Sequence, residues 1–207
     1  MSAPSCGSVA QIDWGVAGRA LGGAEVSGDL HMVVAHSSGV LVGVADGLGH
    51  GVEAAVAAQA AAHIFAGHAG LPVEQLMLLC HEALRRTRGA VLSIASFDMT
   101  AGNVEWVGVG NVEGVLIRDE GGPRARESLL LRGGVVGSRI PPLRAVTLQV
   151  DAGDTLIFAT DGISSRFVAT IPGDRSPQDI ADDILRDYGT DTDDALVLVV
   201  KYRGAPS

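Results

Sequence analysis

Two aspartates, Asp29 and Asp46, bracket a stretch whose pattern predicts a β-hairpin. The runs 30–35 and 40–45 are rich in β-branched and other apolar residues, and the turn-forming segment 36–39 (His-Ser-Ser-Gly) separates them. With the two serines of that segment as the loop, antiparallel pairing places Asp29 opposite Asp46, with Cα atoms about 4.5–5.5 Å apart. The spacing therefore predicts two carboxylates side by side.

The closeness of these two carboxylates raises the question of what neutralises them. Two acids at that distance cannot both stay ionised unless a positive charge lies between them. Because no Lys or Arg occurs in residues 20–84, a divalent cation held by oxygen ligands is the natural partner. The alternative is that the two aspartates occupy separate turns at strand ends, and the hairpin alone leaves both interpretations open.

Three further aspartates lie at the ends of other predicted strands. Asp161 follows the apolar run 155–159, and the pair Asp193 and Asp194 immediately precedes the apolar run 195–201. Each of these acids alone is typical of a turn. Strands this apolar are expected in the middle of packed sheets, and where such strand ends converge, clustered carboxylate oxygens make a chemically sensible two-metal centre.

The rest of the chain predicts the elements that must position these side chains. Apolar periodicity and turn residues indicate strands in consecutive runs, together with three helices. The predicted helices are 52–65, 73–87 and 177–188, and the predicted strands are 9–17, 30–35, 40–45, 90–97, 104–110, 114–118, 146–150, 155–159 and 195–201, with 129–131 as a further candidate. This order favours antiparallel sheets with helices outside over alternating βαβ units. The first two helices are expected together on one outer face.

Length and composition predict one globular domain. The chain has 207 residues, of which 47% are apolar and 4% aromatic, and it contains 28 glycines. That length suits one full hydrophobic core, whereas two domains would be cramped. We expect a single domain over residues 9–203, with flexible ends at 1–8 and 204–207.

The net charge and the cysteine content indicate which partners and which cellular compartment suit this protein. The formal net charge of −9 argues against nucleic acid, because no basic stripe is available to neutralise phosphates. Cys6 and Cys80 lack the spacing of a metal site and suit a reducing compartment. No apolar run reaches the roughly 18 residues of a membrane span, and residues 1–10 lack signal-peptide features. The sequence therefore predicts a cytoplasmic protein with no membrane partner.

Four segments together resemble the metal-binding motifs of a known family. In chain order they are Val-Ser-Gly-Asp29, Ala-Asp46-Gly-Leu-Gly-His-Gly51, residues 148–162 ending in Thr-Asp161-Gly, and Asp193-Asp194-Ala-Leu-Val. They are similar to the motifs of the SpoIIE-like branch of the type 2C (PPM) metal-dependent protein phosphatases, over about residues 12–202. Residues 88–94 and 109–112 also look like stretches of the small stand-alone members of the RsbX type.

The resemblance implies a fold and a metal site. The fold would be a four-layer αββα sandwich, an α+β architecture with two mainly antiparallel β-sheets flanked by helices. The site would hold two Mn²⁺ or Mg²⁺ ions, with Asp46 bridging them, and its ligands would be Asp29, Asp46, the carbonyl of Gly47, Asp161 and Asp193. Asp194 is the less favoured ligand, because the first aspartate of the pair is the family's usual one. The chain departs from the family at Val197, where many members have Thr.

The same resemblance implies a serine/threonine phosphatase that acts on a regulatory phosphoprotein. A hydroxide bridging the two metals would attack phosphorus directly, so no protein nucleophile is required. The expected substrate is phosphoserine or phosphothreonine on a STAS-type stressosome or anti-anti-sigma protein, rather than phosphotyrosine or a free metabolite. Two residues have open roles. His50 is either a general acid for the departing oxygen or a structural residue at a helix start, and Arg19 either binds phosphate or is a plain surface residue.

Two other functions are left as alternatives. The Gly-rich turn 47–51 lies between an apolar strand and an Ala-rich helix, which superficially suggests a dinucleotide-binding fold. However, its spacing is GxGxG rather than GxGxxG, Asp46 would lie beside the pyrophosphate, and no acid occurs near 65–70 to bind a ribose hydroxyl. A catalytically silent scaffold on the same fold is disfavoured because all the positions of the family's aspartate ligands hold Asp in this chain.

Overall fold

β-Strands are the predominant regular elements of the computed structural model, which describes residues 6–119, 126–169 and 175–204. Within those ranges the strands are β1 (Cys6–Val9), β2 (Ile12–Arg19), β3 (Asp29–His36), β4 (Gly39–Gly47), β5 (Ala90–Asp98), β6 (Asn103–Val109), β7 (Glu113–Ile117), β8 (Arg126–Ser128), β9 (Val146–Gln149), β10 (Thr155–Ala159) and β11 (Ala195–Tyr202). The helices are α1 (Val52–His68), α2 (Val73–Leu84) and α3 (Pro177–Tyr188). Short 3₁₀ turns cover Leu21–Gly23 and Ser165–Ala169.

These strands form two sheets that pack face to face. In the described part of the chain, one sheet has the order β1-β2-β11-β10-β7-β8 and the other β3-β4-β5-β6-β9. All the neighbouring strands pair antiparallel. The layer between the sheets is filled by large side chains from both, among them Val44, Trp106, Phe158 and Leu198. The predicted sandwich of antiparallel sheets is confirmed.

The helices cover the two outer faces of the sandwich. Helices α1 and α2 pack on the five-stranded sheet, where Phe65 and Met77 join Leu41 and Ile94 in one buried cluster. Helix α3 packs on the six-stranded sheet through a separate cluster that includes Ile180. The four layers therefore run α, β, β, α, and the prediction that the first two helices share one outer face is confirmed. No helix within the described ranges is long and apolar enough to cross a bilayer.

The hairpin that opens the five-stranded sheet has the predicted register. His36 pairs with Gly39 across the two-serine turn, and Asp29 pairs with Asp46 at the far end. Alternation along β4 explains why this register is strongly specified. Val42 and Val44 face the opposite sheet whereas Leu41 faces the helices, so a shift by one residue would exchange the two buried faces.

Several predicted elements differ from the structure, beginning with the N-terminal strand and the candidate strand 129–131. The run 9–17 is not one strand, because a turn at Ala10, whose φ is +49°, separates β1 from β2. Residues 6–8, predicted to belong to a flexible end, therefore form an edge strand, while 1–5 and 205–207 lie outside the described residues. The candidate strand 129–131 is wrong, since the strand that pairs with β7 is Arg126–Ser128.

The second helix ends earlier than its predicted boundary at 87. The Thr87 hydroxyl donates to the carbonyl of Leu84 and accepts from the Gly89 amide, at 2.7 and 3.0 Å. A threonine that bonds to local backbone in this way competes with helical hydrogen bonding. Gly89 then adopts a φ of +84°, which directs the chain into β5.

Candidate metal centre

Four aspartates converge where the ends of β3, β4, β10 and β11 meet. Asp29 begins β3 and faces Asp46 near the end of β4. In the other sheet, β10 runs antiparallel to β11, and the Thr160 amide donates to the Leu196 carbonyl at 3.0 Å. This pairing places Asp161, just after β10, beside the residues that precede β11. Each sheet therefore contributes acids to one common edge.

Two motif glycines are required because the backbone approaches closely at this edge. A Cβ on Gly47 would lie 2.0 Å from the Ala54 carbonyl oxygen, which belongs to the first turn of α1. A Cβ on Gly162 would lie 2.0 Å from the Asp194 carbonyl oxygen. Any side chain at either position would push apart the elements that carry the acids. The glycine of each Asp-Gly pair is therefore needed for close packing as well as for the turn.

A cleft of about 410 Å³ opens over three of these acids. Its lining consists of Asp46, Leu48, Gly49, Val91, Gly110, Asn111, Gly133, Gly134, Val135, Asp161 and Asp193. Asp29 lies next to Asp46 but is buried, with 8% of its surface exposed. Small residues form much of the rim, so the cleft is accessible to a group carried on a large molecule.

Burial and crowding of like charge perturb the two hairpin acids. Loss of solvent raises the pKa of Asp29 to about 7, with Asp194, Asp161 and Asp193 adding repulsion, while a hydrogen bond from Thr160 acts in the opposite direction. Loss of solvent also raises the pKa of Asp46 to about 8, and the nearby charge of Asp29 is the next cause. A cation between them would remove this repulsion.

The donor set fits hard divalent cations. Carboxylate oxygens are the preferred ligands of Mg²⁺ and Mn²⁺, and none of the ion pairs within the described ranges involves Asp29, Asp46, Asp161 or Asp193. In the same ranges, no three His, Cys, Asp or Glu side chains are gathered closely enough to hold one ion. Mg²⁺ is often bound in proteins by one or two carboxylates together with several waters. Gly47, whose carbonyl is a predicted ligand, is buried and does not line the cleft.

The structure separates the two neighbouring acids Asp193 and Asp194. Asp193 lines the cleft. Asp194 is 3% exposed, and its two carboxylate oxygens accept from the backbone amides of Leu21 and Gly28, each at 2.7 Å. Asp194 therefore holds the loop before β3 in place, which leaves Asp193 as the better placed candidate for a metal ligand.

Two residues with open roles lie outside the cleft lining. The Arg19 guanidinium donates to the Thr190 carbonyl and pairs with Asp191 at 2.9 Å, so it ties β2 to the segment that follows α3. That placement favours a structural role over phosphate binding. His50 is exposed in the turn directly before α1 and does not line the cleft, so its position does not support the role of general acid.

Two polar residues at the site were not singled out from the sequence. The Thr160 hydroxyl donates to Asp29 Oδ2 at 2.7 Å and accepts from the Leu196 amide at 2.9 Å. Asn111 Nδ2 donates to Asp161 Oδ2 at 2.8 Å from the turn between β6 and β7. The available signals were their positions, Thr160 directly before an Asp-Gly pair and Asn111 after a strand end. Neither position reveals its partner, because the contacts join distant segments.

Comparison with known families identifies this arrangement. The sequence profile of the family described as Stage II sporulation protein E (SpoIIE) matches residues 36–203, which include four of the five candidate acids and most of both sheets. The chain belongs to the SpoIIE family. It is thus a member of the SpoIIE-like branch of the type 2C phosphatases, and in this branch a divalent-metal-dependent serine/threonine phosphatase activity accompanies the fold.

Individual relatives agree with this assignment. The phosphoserine phosphatase RsbX of Bacillus subtilis (strain 168) is 27% identical over 144 residues, which is 69% of this chain and 70% of the relative. A solved structure of RsbX in complex with magnesium superimposes with a TM-score of 0.85 at 21% identity, covering 95% of this chain and 98% of that one. A chain from a structure described as the bacterial stressosome, a modular system adapted to control secondary messenger signaling, gives a TM-score of 0.82 at 27% identity, covering 92% and 99%.

The fold excludes the alternative of a dinucleotide-binding protein. A dinucleotide turn connects a strand to a helix within a parallel βαβ unit. Here β4 pairs antiparallel with both of its neighbours, β3 and β5. The turn 47–51 instead follows Asp46 at the end of an antiparallel strand, where the other acids also lie.

Proposed function

We propose that this SpoIIE-family chain uses two Mn²⁺ or Mg²⁺ ions to hydrolyse phosphoserine or phosphothreonine on a STAS-type stressosome or anti-anti-sigma protein. The observation that carries the proposal is the facing pair of Asp29 and Asp46, with Asp161 and Asp193 at the same edge and no basic partner for these four among the described residues. Asp29 is buried and Asp46 half-buried, and like charges held this close are costly without cations.

The bound ions would supply the chemistry that the protein side chains lack, by activating a water molecule and offsetting charge on the phosphoryl oxygens. The chain's own residues hold and orient the ligands. Thr160 fixes one oxygen of Asp29, and Asn111 fixes one oxygen of Asp161. Each hydrogen bond occupies one oxygen of the carboxylate and leaves the other for a cation. This is how residues that support a metal ligand usually orient it.

Within the part of the chain that the structure describes, the cleft lining offers no hydroxyl, thiol or imidazole nucleophile, and its three aspartates are the proposed metal ligands. The lining contains no Ser, Thr, Cys or His, and Asn111 is its one side-chain hydrogen-bond donor among the described residues. This composition supports direct attack by water over a phosphoenzyme route. It also means that selectivity for the substrate must come from shape and from contacts outside the cleft.

The choice of a protein substrate follows from the shape of the site. The cleft is bordered by strand ends and by glycines at 49, 110, 133 and 134, and it lies open on the surface. A phosphorylated side chain on a folded partner reaches such a site more readily than a metabolite that must be enclosed to be recognised. The likeness to the phosphoserine phosphatase RsbX and to a chain of a stressosome structure supports a regulatory phosphoprotein as the substrate.

A competition assay tests the proposal. The purified chain, first treated with a chelator and then supplied with Mn²⁺ or Mg²⁺, would be given a phosphorylated STAS-domain protein, phosphoserine and phosphotyrosine peptides, and nucleotide and sugar phosphates. We expect metal-dependent turnover with the STAS phosphoprotein preferred. A catalytically silent scaffold would release no phosphate with any metal. Preference for phosphotyrosine or for a metabolite would contradict the substrate assignment while leaving the phosphatase intact.

A further inference from the structure

A second depression lies beside the metal cleft, between the first turns of α1 and the segment that joins α2 to β5. Its lining consists of Val52, Glu53, Val56, Arg86, Thr87 and Arg88, and its volume is about 310 Å³. We call this set of residues the flanking depression. None of its members is among the residues assigned above to metal binding.

The flanking depression is joined directly to the rim of the cleft. Gly49 lines the cleft, and a Cβ at Gly49 would lie 2.9 Å from the Arg88 guanidinium, so the two surfaces meet there. The Leu48 amide donates to the Gly89 carbonyl at 3.0 Å, which fixes the turn before α1 against the segment after α2. A polypeptide whose phosphorylated residue enters the cleft therefore has its neighbouring residues within reach of the depression.

The depression exposes apolar surface that the fold itself does not use. Val52 is 67% exposed and Val56 50% exposed, although the rest of α1 is built largely from alanine. The two valines are four residues apart and thus lie on the same helix face. Leu48, 36% exposed, extends this surface to the cleft rim. Contiguous exposed apolar residues beside a reaction site are typical of a contact surface for another protein.

Basic residues complete the depression in a chain that is acidic overall. Arg88 pairs with Glu53, and both side chains are more than half exposed. Arg86 has no acidic partner among the described residues. Exposed ion pairs contribute little stability, so an incoming carboxylate can take the place of Glu53 at small cost. In a protein of net charge −9, this is a local site of attraction for an acidic partner.

We propose that the flanking depression binds the polypeptide segment next to the phosphorylated residue of the substrate protein, through one apolar side chain on Val52 and Val56 and one acidic side chain on Arg86. This proposal rests on the proposed function and deepens it, because it says how a cleft with few polar side chains selects a phosphoprotein. The contact contributes to substrate binding and not to the bond-breaking step.

Phosphoserine peptides and p-nitrophenyl phosphate separate this contact from catalysis. A peptide series would carry a Leu-Asp pair moved from two to six residues on either side of the phosphoserine, compared with an Ala-Ala peptide. The test variant is Val56→Gln combined with Arg86→Gln. The matched control is Leu78→Gln combined with Arg144→Gln, which also replaces one exposed apolar residue and one exposed arginine but lies away from the cleft. Thermal unfolding confirms that both double variants fold.

We expect one placement of the Leu-Asp pair to be preferred by the unmodified enzyme. For that peptide, the Val56/Arg86 variant should lose about tenfold in kcat/KM, mainly through KM, as loss of a small apolar contact and an exposed charge contact predicts. Its hydrolysis of p-nitrophenyl phosphate should stay within about twofold, and the control variant should match the unmodified enzyme with both substrates.

Three results would overturn the proposal. Equal turnover of every peptide by the unmodified enzyme and both variants would exclude the docking site while leaving the phosphatase in place. An equal loss with p-nitrophenyl phosphate in the Val56/Arg86 variant would show that these residues act on the metal centre instead. Absence of turnover of any phosphate ester by the metal-loaded enzyme would overturn the proposed function, and the docking site with it.

Discussion

The hydroxyl of Thr160 donates to Asp29 Oδ2 at 2.7 Å and so links the two sheets at the metal centre. Thr160 follows β10 in one sheet, and Asp29 begins β3 in the other. The same hydroxyl accepts from the Leu196 amide at 2.9 Å, so its orientation is determined by β11. Three strands thus fix the direction of one candidate metal ligand.

Replacement of this hydroxyl should weaken metal binding. In Thr160→Val we expect the Mn²⁺ concentration for half-maximal hydrolysis of p-nitrophenyl phosphate to rise about 10- to 100-fold, because a supporting hydrogen bond to a ligand is lost. Thr155→Val is the matched control, since its hydroxyl bonds to the Gly153 carbonyl at the other end of β10. An unchanged Mn²⁺ requirement in Thr160→Val would contradict the role of Asp29 as a ligand.

Asp46 should be indispensable for activity and unfavourable for the metal-free fold. Its carboxylate has lost solvent and lies beside the charge of Asp29. Asp46→Asn therefore removes both the predicted bridge between the metals and a source of repulsion. We expect hydrolysis to fall about a thousandfold or more, consistent with loss of several kcal/mol of charge stabilisation. Chemical denaturation without metal should show a free energy of unfolding equal to or above that of the unmodified chain. Near-normal Mn²⁺-dependent activity would refute the two-metal assignment.

Substitution of the two adjacent acids Asp193 and Asp194 should have different effects. Asp193→Asn should lower Mn²⁺-dependent activity with little change in unfolding, since its side chain lines the cleft. Asp194→Asn should instead destabilise the fold by about 2 kcal/mol, because an amide cannot accept from both Leu21 and Gly28. Urea unfolding and metal titration of both variants measure the contrast. The opposite pattern would exchange the roles of the two residues.

A buried ion pair far from the cleft provides a test of the fold alone. Arg118 Nη1 lies 2.8 Å from Asp154 Oδ2, and Asp154 is 2% exposed while also accepting from the amides of Asp119 and Asp151. Asp154→Ala leaves the arginine and both amides without this partner, and we expect a loss of about 3 kcal/mol in urea unfolding. Asp151→Ala, at an exposed side chain in the same turn, should cost far less. Similar losses in the two variants would contradict this account.

The local pattern of the sequence was sufficient for the hairpin and its two acids. A two-residue turn sets the pairing, and alternation of buried side chains along β4 forbids a shift of one residue, so the facing of Asp29 and Asp46 follows from neighbouring residues alone. The helices predicted to begin at 73 and 177 also begin at those residues, the latter with the Ser176 side chain accepting from the Asp179 amide. The motif spacing led to the family that the profile match over residues 36–203 confirms.

Only the tertiary structure decided what each remaining side chain does. Asp193 and Asp194 are adjacent and of the same type, and only the family resemblance favoured Asp193. The structure gives the physical reason, because Asp194 is occupied by amides that lie 173 and 166 residues earlier in the chain. Arg19 has a suitable charge for phosphate, but Thr190 and Asp191 hold it elsewhere. Thr160 and Asn111 join the site through bonds to distant segments. Strand periodicity and turn chemistry act between neighbours and can be recognised in the sequence, whereas burial and hydrogen-bond partners depend on which distant segments the packed sheets bring together.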